Sequence, residues 1–266
     1  MPELPEVETI KRQLQKSIFG KKIINVIVNK PNVIKEPSLA SFKRDIKGAR
    51  IKQIIRKAKV LILELSNGKS LVVHLRMTGQ LVYPGSGKQS RISFMLSNKK
   101  ILDYNDRRLL GELRLINNWR NLGFIKTLGP EPYDLTEREF SQMLSKKTTK
   151  IKPLLMDQAF ISGVGNIYAA EALFKAKINP LRPASSLSQK ERIKLFSTIK
   201  KILDDAIKHK GSSVDQYVTA SGQKGSYAKY HRVYDRQGKP CFVCKYPIKR
   251  IALGGRGTYF CGRCQK

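Results

Sequence analysis

At 266 residues, 41% of them hydrophobic, the chain is long enough for one large domain or two ordinary ones with real cores, which excludes a disordered basic tail. It carries 52 Lys and Arg against 20 Asp and Glu, a formal net charge of +32; such an excess self-repels unless a polyanion is the working partner, and nucleic acid fits because neutralised phosphates release counterions. No apolar run approaches the roughly 18 residues of a spanning helix, and the start lacks the basic and apolar regions of a signal peptide, so a cytoplasmic protein with no membrane partner is expected.

The chain opens MPELPEVETI, and from Pro5 the pattern predicts a helix. Proline suits a first helical position, Glu6 and Glu8 favour the positive end of the dipole, and Gly20 is a natural stop. Val7, Ile10, Leu14 and Ile18 share one face. The period then changes to two through KIINVIVNK, RIKQIIRKAKVLILEL, SLVVHLRMTGQLVY and RISFMLSNKKILDY, with SNGKS at Ser66–Ser70 a hairpin signal. An antiparallel sandwich or barrel-like domain with a leading helix is expected over residues 1–127. LGPEPYD, at 128–134, reads as a linker.

Helical periodicity returns beyond it. LTEREFSQMLSKK starts with a capping box, Thr136 and Glu139. IKPLLMDQAF, NIYAAEALFKAKI and LSQKERIKLFSTIKKILDDAIKHKG follow as further helices, and the glycine- and serine-rich TASGQKGSYAKY leads to a cysteine module. A helical domain over 135–232 and a small module over 233–266 are expected. The overall class is α+β.

Four stretches carry chemistry. All four cysteines lie at the end as C-x2-C-x16-C-x2-C: Cys241, Cys244, Cys261 and Cys264. Two paired knuckles in a chain expected to be cytoplasmic point to one structural Zn2+ with four thiolate ligands rather than to disulfides. Between them KRIALGGRGTYF places two strand-like arms around a glycine-rich tip bearing Arg256, a shape suited to a DNA groove, to RNA or to a protein partner. In ISGVGNIYAAEALF, the glycines at 163 and 165 allow a tight turn and put Asn166 at a helix start. It is either a plain N-cap or part of a phosphate site on the free N–H groups, and Lys147, Lys150 and Lys152 upstream favour phosphate. NDRRLLGEL with HLRMTGQ sets arginines beside leucines at a strand end, which is either a solvated strand end or an apolar wedge that unstacks DNA. Last is the terminus. Removal of Met1 would free Pro2 as a secondary amine, with a pKa of about 7.7–8.0, able to attack a sugar carbon and form an iminium while Glu3 passes protons. The alternative is a proline that only stiffens the helix entry.

MPELPEVET, GVGNIYAAEALF and GRGTYFCGRCQ, in that order, resemble the bacterial formamidopyrimidine-DNA glycosylases essentially end to end. The resemblance implies an N-terminal β-sandwich with a first helix, a helix–two-turns–helix domain and a zinc finger, with damaged double-stranded DNA held between. It implies a bifunctional base-excision repair enzyme that removes oxidised purines, 8-oxoguanine and formamidopyrimidines, and nicks DNA by β,δ-elimination. Pro2 is then the nucleophile, Glu3 the acid–base group, Lys59 a proton-transfer and phosphate residue, and Arg256 a phosphate grip tied to δ-elimination. Asn166, Lys152 and Lys147 correspond to backbone contacts. Met77, Arg108 and Leu110 correspond to the triad that fills the hole left by the flipped base, and Ser221–Tyr227 to a segment that closes over it. A monomer without nucleotide cofactor, bacterial and nucleoid-associated, is expected.

Three positions depart from the family pattern. Leu110 stands where phenylalanine is common, and Val60 where an aromatic is common. KQSR at Lys88–Arg91 puts Gln89 where a DNA-contacting histidine is usual. A glycosylase for oxidised pyrimidines in the same superfamily usually begins PEGPE rather than PELPE, and a non-catalytic zinc-ribbon nucleic-acid binder would not require Pro2 and Glu3.

Overall fold

A computed structural model describes residues 1–88 and 90–266; Gln89 lies outside the described residues. The chain forms two compact units, Met1–Lys126 with Ile207–Ala228, and Thr127–Ala206 with Lys229–Lys266.

In the first unit, α1 spans Leu4–Ile18 and ends at Gly20, whose φ of +74° favours glycine. Val7, Ile10, Leu14 and Ile18 are all fully buried, as the spacing predicts. Strands β1 (Ile23–Val28), β2 (Ile34–Glu36), β3 (Ile51–Lys57), β4 (Val60–Leu65), β5 (Ser70–His74), β6 (Gly79–Gly85), β7 (Ile92–Leu96), β8 (Ile101–Asp106) and β9 (Glu112–Ile116) follow, with α2 (Leu39–Ile46) after β2 and α3 (Gly123–Lys126) after β9. They make a four-stranded sheet ordered β1-β7-β8-β6 and a five-stranded sheet ordered β2-β9-β5-β4-β3, parallel only at β2–β9. One apolar core takes residues from both sheets, from α1 and from α2, so the expected sandwich forms. SNGKS turns as predicted, with Gly68 at φ +79° and the Leu65 N–H donating to Lys69 O.

Two features escaped periodicity. RIKQIIRKAKVLILEL is not one run: it folds on itself at Ala58–Lys59, pairing Lys57 with Val60. The segment 207–228 lies within the span expected for the helical domain yet packs with the sandwich, because Tyr217 and Ala220 enter its core and the Tyr83 N–H donates to Ala220 O.

The second unit holds α4 (Glu137–Ser145), α5 (Ile151–Met156), α6 (Asn166–Ala176), most of α7 (Gln189–Lys208) and a hairpin of β10 (Lys249–Leu253) and β11 (Arg256–Phe260). The capping box forms at α4, where Thr136 Oγ accepts the Glu139 N–H and Glu139 Oε2 accepts the Thr136 N–H. Phe140 of α4 stacks on Phe196 of α7, ring centroids 4.9 Å apart. The chain entering the cysteine module is fixed by the buried Glu171 of α6, whose carboxylate accepts the N–H groups of Arg232, Val233 and Tyr234. No helix among the described residues is long and apolar enough to cross a membrane.

Candidate nucleic-acid and metal sites

The amino-terminal site belongs to the first unit. Pro2 is buried and Glu3 is only 2% exposed, an unusual placement for residues so near a terminus. Glu3, not Pro5, is the boundary: it caps α1 with extended backbone, and Glu6 Oε2 accepts its N–H at 2.8 Å. The other Glu6 oxygen accepts the Ser212 N–H at 2.8 Å. Gly211, at φ +80°, lets the backbone come close, since a Cβ there would stand 2.7 Å from that oxygen. One buried carboxylate thus fixes the residue after Pro2 to a segment far along the chain. Nothing in the sequence pattern links positions 6 and 212.

Lys59 sits in the β3–β4 turn and is 7% exposed. The turn is tied to α1 through Arg56, which donates to Glu8 Oε2 at 2.9 Å and to Ala58 O at 3.1 Å. Burial works to raise the Glu8 pKa, but the Arg12 and Arg56 guanidiniums outweigh it and hold the carboxyl below the usual range. Helix start and lysine turn therefore rest on the same charged link.

Met77, Arg108 and Leu110 lie on two loops of the same unit, and Leu110 is 45% exposed. Leu109 packs partly buried against the sandwich core while Leu110 stands open to solvent, an arrangement that both a solvated strand end and an apolar wedge allow. The loops are clamped by Asp106, which sequence reading missed. One of its oxygens accepts the Thr78 hydroxyl and the Arg108 N–H, and the other accepts the Gly111 N–H and the Tyr104 hydroxyl. Burial, then the Asp106 charge, keeps the Tyr104 phenol well above its usual pKa, so it stays a donor. Leu109, between Arg108 and Leu110, takes φ +55°, a conformation this clamp holds in place.

In the second unit the structure joins two of the predicted residues directly. Lys152, 1% exposed, donates from Nζ to Asn166 Oδ1 at 2.5 Å and to Thr258 Oγ1 at 2.9 Å. Gly165, not Asn166, occupies the N-cap of α6, so the plain N-cap reading of Asn166 is corrected: it is the first helical residue, and its side-chain oxygen serves Lys152. Lys147 and Lys150 are exposed nearby in sequence, and Arg256 is exposed at the start of β11, where Gly254 and Gly255 form the two-residue turn of the hairpin.

The four cysteines converge. All four Sγ atoms lie within 4.8 Å of one another, with Cys241 3.9 Å from Cys264 and Cys244 3.4 Å from Cys261. A tetrahedron with Zn–S bonds of about 2.3 Å has S···S edges of about 3.8 Å, so the cage fits one Zn2+ with no open position, which is a structural site. The finger shares a small apolar cluster with α6, in which Val233 and Ile248 join Ala170 and Phe174.

Together these features define a class: an α+β protein with a capped Pro–Glu terminus on a β-sandwich, a helical module and a closed zinc finger. Residues 1–113 match the formamidopyrimidine-DNA glycosylase N-terminal domain, 128–218 its H2TH domain, and 238–266 a zinc finger found in FPG and IleRS. Similar proteins include formamidopyrimidine-DNA glycosylases of Pelotomaculum thermopropionicum, 43% identical over 100% of this chain and 99% of that one, and of Herpetosiphon aurantiacus, 40% identical over 100% of both. Among solved structures, MutM (FPG) from Thermus thermophilus aligns with a TM-score of 0.89 at 34% identity, covering 99% of this chain and 98% of that one. A Lactococcus lactis FPG mutant in complex with Fapy-dG-containing DNA aligns at 0.91 and 36%, covering both chains fully. The chain belongs to the formamidopyrimidine-DNA glycosylase family.

Proposed function

We propose that this chain is a bifunctional glycosylase and AP lyase of base-excision repair that removes oxidised purines, 8-oxoguanine and formamidopyrimidines, from double-stranded DNA. The observation that carries the reading is the buried Pro2–Glu3 pair, held by Glu6 at the head of α1. A terminus that served only to start a helix would not need its first carboxylate buried and the capping Glu6 bonded in turn to the Ser212 N–H.

Once Met1 is removed, the Pro2 nitrogen attacks C1′ of the damaged nucleotide and the bond to the base breaks, the base leaving with the electron pair and a proton. Glu3 protonates the sugar ring oxygen as the C1′–O bond opens, leaving an iminium on Pro2. Loss of a C2′ proton expels the 3′ phosphate, a second elimination expels the 5′ phosphate, and water frees the proline. Lys59 assists these proton transfers, and Arg256 holds phosphate through the second. Lys147, Lys152 and Asn166 take backbone phosphates, and Met77, Arg108 and Leu110 fill the space of the extruded base, with Ser221–Tyr227 covering it. The formal net charge of +32 supports a polyanionic partner. When bound, zinc supplies no chemistry to the reaction; it cross-links the finger that presents Arg256.

The division into a catalytic domain at 1–127, a linker at 128–134, a helix–two-turns–helix domain at 135–232, of which 207–228 pack with the sandwich, and a finger at 233–266 belongs to the same reading, as do a monomeric state and a cytoplasmic, nucleoid-associated location. The test is borohydride trapping on a duplex with 8-oxoguanine opposite cytosine. The wild type forms a covalent adduct and Pro2→Gly does not; tight binding by wild type without adduct or strand cleavage would leave only a nucleic-acid binder.

A further inference from the structure

We infer that Thr258 is the positioning residue through which the zinc finger holds the Lys152 ammonium against Asn166. The inference rests on the proposed DNA-binding role of Lys152 and Asn166 and adds how that pair is set in place. An ammonium on a residue 1% exposed has given up most of its water and needs protein acceptors. Thr258 Oγ1 is such an acceptor at 2.9 Å, on a residue with no exposed surface, and it comes from the finger rather than from the helices. Its own hydrogen points to the Arg256 carbonyl at 3.4 Å, which leaves the oxygen lone pairs free to face Lys152.

The strand explains the consequence. Thr258 lies in the middle of β11, paired with Ile251, two residues after Arg256 and three before the zinc ligand Cys261. At the hairpin tip, a Cβ on Gly254 would stand 3.4 Å from Pro153 Cγ, so the finger also rests on α5 beside Lys152. Zinc fixes β11, β11 places the threonine hydroxyl, the hydroxyl places the Lys152 ammonium, and the ammonium fixes the side chain of Asn166 at the start of α6. Arg256 and Asn166, assigned to different modules by sequence, are thereby set by one strand. Valine has the shape of threonine but no acceptor, whereas serine keeps the acceptor.

The test uses the full-length, zinc-loaded protein and a duplex carrying a tetrahydrofuran abasic-site analogue, with affinity measured across a salt series. Thr258→Val binds about tenfold more weakly, the loss of one hydrogen bond to a buried charge. Its slope of log affinity against log salt falls by up to about one unit if Lys152 no longer meets phosphate. Thr258→Ser binds as wild type, and all variants retain one zinc per chain. In a Lys152→Ala background, Thr258→Val adds no further loss, since the threonine acts through the lysine. Wild-type affinity in Thr258→Val, additive losses in the double variant, or loss of zinc from Thr258→Val would each overturn the inference. A wild-type protein that fails to bind the duplex overturns the DNA reading, and the inference with it.

Discussion

The two regions that carry the proposed chemistry and the proposed grip are held by different physics. The sandwich that presents Pro2, Glu3 and Lys59 is built on a large continuous apolar core, with Phe94, Tyr104 and α1's Ile10 and Leu14 fully buried. The finger that presents Arg256 and Thr258 has only a handful of buried apolar residues, and four converging thiolates supply the rest. A module that small cannot bury enough surface to fold unaided, so the metal takes the place of a core. The contrast teaches that chemistry and grip can be damaged separately.

Zinc removal should give the largest effect. Stripping zinc with a chelator, or Cys261→Ser, unfolds the finger and lowers affinity for abasic-site duplex by at least about a hundredfold, given the 10–16 kcal/mol typical of structural zinc sites. The sandwich keeps its β-sheet circular dichroism. A chelated protein that still binds DNA at wild-type affinity would erase the distinction. The converse variant is Phe94→Ala. Phe94 is fully buried with its ring centroid 6.5 Å from that of Phe42, and truncation costs about 3–5 kcal/mol of stability. Denaturant unfolding measures it, with zinc content at one per chain throughout.

A smaller effect compares two histidines, His74 in the sandwich and His231 in the second unit just ahead of the finger. Burial lowers the His74 pKa to about 4, helped by Arg76 and Lys59 and opposed by Glu112; burial alone lowers His231 to about 4. The Arg76 N–H donating to His74 Nδ1 fits the neutral ring. A base with a depressed folded pKa takes up its proton more readily when unfolded, so stability is full above the ordinary value of about 6.5 and falls as pH drops toward 4. Thermal melts over that range should show the decline, with His74→Gln flattening it in the sandwich and His231→Gln in the second unit. Melts that do not change between pH 7 and 4 would contradict both assignments.

What the sequence revealed follows from how local each cause is. The α1 face, the Ser66–Ser70 turn, the Thr136–Glu139 box and the C-x2-C knuckles rest on periods or spacings within a few residues, and all of them form. The unread parts depend on partners far apart in the chain. Glu6 meets Ser212, Asp106 meets Thr78, and Lys152 meets Thr258, and no hydrophobic pattern marks such pairs. Asn166 shows the middle case: the glycines placed the helix start correctly, but only the fold shows that Gly165 caps it and frees the asparagine for Lys152. Residues 207–228 read as a helix end and a polar loop, and their attachment to the sandwich runs through Tyr217, Ala220 and Glu6.

The central claim is that a buried terminal proline is the nucleophile, and it is tested most directly by mass spectrometry of the borohydride-trapped complex with an 8-oxoguanine duplex. The cross-linked peptide is expected to begin at Pro2, lack Met1 and carry the reduced sugar on the proline nitrogen. An adduct mapped to Lys59 or Lys152, or a cross-linked peptide that retains Met1, would contradict it.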